Sequence, residues 1–183
     1  MFSLKRALSR FRRDERGFAT IEFLIVFPVF ISLLLSGYES GILMVRQTML
    51  ERGVDLAVRD LRLGRMPRGD DGIVDDEDVR KAICNYAGVL PQCLDSINLE
   101  LRTISMTTFS MPPTTATCVD RGSDIRPNVI FTSGVPNELM MIRACFVVSP
   151  VFPTSGLGAQ LPVDSSGGYR LVSTSAFVIE PNS

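Results

Sequence analysis

"FATIEFLIVFPVFISLLLSGYESGILMVRQTMLERGVDLAVRDLRL", Phe18 to Leu63, decides the fold. From Phe18 to Tyr38 it carries one charge, Glu22, in 21 residues. A membrane span needs about 20 predominantly apolar residues, so Phe18 onward suffices if Glu22 is tolerated. The helical pattern does not end there. Leu43, Leu50, Val54, Ala57 and Leu61 fall on one stripe, with Arg52, Arg59 and Arg62 on another side. Asp55 and Arg59 form a supporting i,i+4 pair. No proline follows until Pro67. The pattern predicts one helix from about residue 18 to about 63, roughly 70 Å long. Its first part, to about residue 41, would span a bilayer, and the rest must lie against a folded domain. Pro28 lacks an N–H, which predicts a kink or a weakened turn there.

The charge distribution gives this helix a direction. The chain has 183 residues and a net charge of −1. Residues 1–17 hold six basic and two acidic residues, +4; the remainder holds 13 basic and 18 acidic residues, −5. A basic leader before an apolar segment implies a cytoplasmic N-terminus and an exported body in the periplasm. The acidic body argues against nucleic acid as a partner. A cleaved secretory signal is the competing reading. Small residues suited to that cut occur only around Ser36–Gly41, where Tyr38 and Glu39 intervene.

Glu22 lies inside the apolar run, one turn from its basic flank. Its carboxylate could snorkel to the headgroups. Alternatively it is a functional residue with a partner, the default for an ionisable group in a span. A charge at the centre of such a helix costs about 2.5–3.5 kcal/mol on insertion scales and less near an end. No amine lies at its depth unless the chain is cut after Gly17, which would give Phe18 an ammonium and make Glu22 the fifth residue.

A basic leader ending in Gly17, then Phe18, then Glu22–Phe23 and Pro28 six residues after the glutamate, resembles the TadE/TadF family. These are minor pseudopilins of the tight-adherence, or Flp, pilus system. The resemblance is strongest over residues 10–62. It implies that a prepilin peptidase cuts between Gly17 and Phe18. It implies that Glu22 pairs with a Phe18 ammonium during assembly. Other pilin and pseudopilin subunits and an inner-membrane assembly platform become the expected partners. A body longer than a bare pilin helix favours a minor component over a main subunit.

Beyond Leu63 the expected organisation is an exported α+β domain over 64–183, after a leader over 1–17 and the long helix. Six acids fall between Asp70 and Asp78. They read as a solvated loop and a helix start, where acids suit the dipole; calcium is the alternative. Val79, Ile83, Tyr86 and Leu90 predict a helix over Asp76–Leu90, ended by Pro91. Alternation predicts strands at Ile97–Arg102 and Tyr169–Ile179, and a dense apolar run predicts another at Leu139–Ser149. Three antiparallel strands against the outer half of a pilin-like transmembrane helix make an α+β fold. The loop Val151–Leu161 either folds over the sheet, the preferred reading, or is a docking surface.

Cys84, Cys93, Cys118 and Cys145 all follow the membrane segment, and an even number there fits an oxidising compartment. Of three possible pairings, Cys84–Cys93 with Cys118–Cys145 is favoured; the spacings are not those of zinc pairs. The chain has no histidine, which excludes catalysis by Ser-His, Cys-His or His-bound metal. Lys81 is the sole lysine outside the leader and the sole Ser-Lys candidate. No cofactor, metal or catalytic set is expected. The functional expectation is a processed minor pseudopilin acting in pilus initiation or assembly. The alternative is an uncleaved single-pass inner-membrane protein whose periplasmic domain binds a partner.

Overall fold

The computed structural model describes residues 18–67, 73–108, 110–123 and 125–181. One helix, α1, runs Phe18–Arg62, 45 residues and about 67 Å. It passes through Pro28 without interruption. The Ser32 hydroxyl donates to the Pro28 carbonyl at 2.7 Å, a back-bond of the kind that bends helices. The second helix, α2, covers Asp76–Ala87, and a single helical turn, α3, covers Cys93–Ser96. Three strands follow: β1 at Ile97–Thr103, β2 at Leu139–Val148 and β3 at Tyr169–Val178. They form an antiparallel sheet in the order β1-β2-β3. A 3-10 turn, Gly156–Ala159, interrupts the connection between β2 and β3.

The outer half of α1 is built into the domain. Leu50, Val54 and Ala57 are wholly buried, with Val58 nearly so. They share one core with Val79 and Ile83 of α2 and with Met140, Ile142, Ala144 and Phe146 on one face of β2. Gly53 is where α1 and α2 touch. A Cβ there would stand 2.7 Å from the Ile83 carbonyl oxygen and 3.1 Å from Ala87 Cβ, so only glycine permits the approach. At the far end Arg62 pairs with Glu180 at 2.9 Å, tying the chain after β3 to the end of α1.

Two elements differ from the sequence reading. Helix α2 stops at Ala87, short of Leu90, because Gly88 turns the chain at φ 70° before Pro91 is reached. Strand β1 does not alternate: Asn98 and Glu100 are buried along with Ile97, Leu99 and Leu101. The cause is the long connection from β1 to β2, which folds over the back of the sheet. Asn98 donates to the Thr117 carbonyl at 3.0 Å. Arg143 reaches the Pro113 carbonyl at 2.7 Å and Glu100 at 3.5 Å. The Cys118–Cys145 disulfide fastens this cover to β2, and Cys84–Cys93 joins α2 to α3. The same connection pairs with the outer edge of β1. Leu101 N–H donates to Ile130 and Thr132 N–H donates back to Leu101, so that edge is not left open.

Candidate functional site: the bare half of the helix and its boundary

From Thr20 to Leu34 almost every α1 side chain is exposed, among them Phe23, Ile25, Val29 and Leu33. The most apolar 18-residue window has a mean hydropathy of 2.1 and none of it is buried in the protein. Among the described residues this is the one helix long and apolar enough to cross a membrane. Phe23 and Phe27 stack with ring centroids 4.9 Å apart, one turn apart on the same face. Glu22 is exposed on this half and has no ion-pair partner among the described residues. Gly17 lies outside those residues, with the rest of the leader. Phe18 is the first residue of α1.

Where the bare half ends, a second carboxylate takes the opposite role. Glu39 is 1 % exposed. Both its oxygens accept from Val151 N–H at 3.0 Å, and one also accepts from Phe152 N–H at 2.9 Å. One turn earlier, Ser36 Oγ donates to the Ser32 carbonyl at 2.7 Å and accepts Leu157 N–H at 3.1 Å. Tyr38 and Phe152 meet edge to face at 5.9 Å. The loop expected to fold over the sheet is therefore a strap fastened to α1. It is also tied to β3, since Tyr169 Oη donates to the Gly158 carbonyl at 3.2 Å. Burial, and then the charge of Glu39, raise the Tyr169 phenol above its ordinary value.

Glu39 was missed as a site because the sequence reading treated it only as an obstacle to signal cleavage. A signal was present: it is the one charged residue between Glu22 and Arg46. A lone acid in so long an uncharged stretch must find hydrogen-bond donors or water.

The remaining candidate residues serve the fold. The four cysteines are paired within the domain, away from the bare half. Asp75 occupies the cap position of α2 without a side-chain cap bond, and Asp76 and Glu77 instead bridge to Arg80 and Lys81 at 2.8 Å. The Glu77 pair holds its carboxyl below, and the Lys81 amine above, their ordinary values. Lys81 is thus held protonated on an exposed face, unsuited to act as a base. Asp70 and Asp71 of the acidic loop lie outside the described residues.

Comparison with known proteins places one match. Residues 17–59 fit the family model for TadE-like proteins, a segment from Gly17 through the bare half and most of the packed half of α1. No curated protein matches the chain, and no solved structure does.

Proposed function

We propose that this TadE-like chain is a minor pseudopilin of a Tad-type pilus assembly and secretion system. The family match supports a place in that system. The observation that carries the finer reading is a helix whose first half emerges uncovered, with Glu22 lacking an ion-pair partner among the described residues. That apolar surface needs a cover, either lipid or the helices of other subunits. The basic leader keeps the N-terminus in the cytoplasm, the first half of α1 crosses the inner membrane and the disulfide-bearing domain stands in the periplasm. A prepilin peptidase cuts between Gly17 and Phe18, and the new ammonium is the partner that Glu22 lacks among the described residues. In a low-dielectric filament such a pair fixes register more than it stabilises, because desolvation offsets much of the attraction. The protein has no catalytic role and is the substrate of one enzyme. It acts in initiating or assembling the pilus, through contacts with pilin subunits and the assembly platform.

The test is mass spectrometry of the mature N-terminus in membranes with and without an active prepilin peptidase. The expected result is a peptide beginning at Phe18 only when the peptidase is present. An N-terminus at Met1 in both membranes would overturn the reading and leave an uncleaved, signal-anchored protein with a partner-binding domain.

A further inference from the structure

The position of the strap along α1 sets a geometric problem. Twenty residues from Phe18 rise about 30 Å, the thickness of a hydrocarbon core, and end at Tyr38. The strap reaches back past that level. Leu157 is bonded to Ser36, and a Cβ on Gly156 would stand 3.3 Å from the Ser32 carbonyl oxygen. Ser32 lies only about 21 Å from Phe18 along the helix. Sliding the span toward the N-terminus would bring Arg16, Arg13 and Arg12 of the uncut chain into the bilayer, or draw the Phe18 ammonium and Glu22 of a cut chain deeper into it. Tilting the helix makes more of its length fit inside, which carries the strap deeper.

We infer that the strap, residues 150–163, is an interfacial element that lies beside α1 in the outer headgroup–acyl boundary, and that its partner is a lipid surface. The inference rests on the reading of α1 as a membrane span and is independent of any role in a pilus. Residues 144–163 carry no charged side chain, so the strap can approach the acyl side of that boundary without desolvating a charge. Part of the strap's backbone is satisfied from within. Val151, Phe152, Ser155, Leu157, Gln160 and Leu161 all donate to protein acceptors, and Pro150, Pro153 and Pro162 have no N–H to satisfy. Tyr38 and Phe152 form an aromatic pair at the depth where such rings anchor proteins to membranes. Finally, the strap closes over Glu39, so the one acid at this level is hydrogen-bonded and hidden from lipid.

The chain contains no tryptophan, so a single introduced one reports its own surroundings. Four variants of the full-length protein serve: Leu157→Trp and Ala159→Trp on the strap, Leu33→Trp on the bare helix, and Val135→Trp on an exposed turn of the domain. Each is reconstituted in phosphatidylethanolamine–phosphatidylglycerol vesicles containing lipid brominated near the headgroup end of the acyl chains. The expected result is that both strap variants lose emission to the brominated lipid as Leu33→Trp does, while Val135→Trp keeps its emission. Ala159 is exposed, so Ala159→Trp decides the matter if Leu157→Trp fails to fold. If Leu33→Trp is quenched and the strap variants behave like Val135→Trp, the strap is not at the lipid boundary. Strap positions shielded from both brominated lipid and aqueous acrylamide would assign the surface to a neighbouring protein and overturn the lipid assignment. An unquenched Leu33→Trp would overturn the span itself, and the inference with it.

Discussion

The two halves of α1 are equally helical and have opposite relations to the rest of the protein. Between Leu50 and Val58 the helix buries a stripe in the domain core. Between Thr20 and Leu34 it carries larger apolar side chains and buries almost none. The contrast teaches that hydrophobicity alone does not tell where a helix packs. The outer half has its small residues, Gly53 and Ala57, where another element must approach, and its charges face away. The bare half is apolar all round, which suits a surrounding solvent of lipid or of like helices and no single packed face.

The sharpest way to break the comparison is to truncate one phenylalanine in each region. Phe146, from β2, is wholly buried in the core that the outer half of α1 helps to close. Phe146→Ala should destabilise the domain by about 3–5 kcal/mol, through lost transfer energy and the cavity left behind. Phe30, on the bare half, is 58 % exposed, and Phe30→Ala should leave the domain's unfolding midpoint unchanged. Denaturant titration of full-length protein in detergent, followed by near-ultraviolet signals from the domain, measures both. A shift for Phe30→Ala approaching that for Phe146→Ala would mean that the halves are not energetically separate.

The same contrast explains what the sequence made legible. The long helix and its end near residue 63 could be read, because a long apolar run followed by a 3.6-residue stripe has no competing secondary structure. The strands could be located from alternation and apolar density, while the disulfide pairing was one favoured choice among three that the sequence left open. The second face of β1 could not be foreseen: Asn98 and Glu100 read as solvent-facing, and a 35-residue connection covered them. Nor could the strap. Its fastening to Glu39 and Ser36 links residues more than a hundred positions apart through backbone N–H groups, which leave no trace in side-chain pattern. Of the candidate site, Glu22 and the Gly17–Phe18 junction were legible as motif, whereas Glu39 was visible only as an isolated charge.

Glu22 and Glu39 sharpen the comparison at the level of single groups. Removing the Glu39 side chain leaves two part-buried N–H groups, of Val151 and Phe152, without their acceptor. An unsatisfied buried donor costs about 1–3 kcal/mol and one that water can reach costs less, so Glu39→Ala should destabilise the strap by about 1–3 kcal/mol. Glu39→Gln keeps an accepting oxygen and should lose less. Proteolysis within residues 150–163 reads the loosening directly, and a strap equally resistant in both variants would show that Glu39 does not hold it. Glu22→Ala should change neither strap protection nor domain stability. Under the proposed function its effect should fall on assembly: cleavage after Gly17 should continue and piliation should be lost. Normal piliation in that variant would remove Glu22 from the assembly role.

The smallest effect lies at the end of the strap, where a third acid closes the turn into β3. Burial alone would raise the Asp164 carboxyl. The N–H groups of Gly168 and Ser166, both at 2.9 Å, the Ser166 hydroxyl at 2.8 Å and the charge of Arg170 together carry it below its ordinary value instead. A depressed folded-state value means that the folded chain binds its proton less readily than the unfolded chain. The stability Asp164 contributes is therefore fully present above its unfolded value, near 3.8, and is lost as pH falls through the lower folded value. Asp164→Asn has no such proton to gain. The gap in melting temperature between the wild type and Asp164→Asn should stay constant from neutral pH down to about pH 5, then narrow on further acidification. A gap independent of pH throughout would assign the turn's stability to shape and not to charge. A gap that narrows while Glu39-dependent strap protection persists would separate the two anchors. The strap would then be held to the helix by one carboxylate and closed onto the sheet by another.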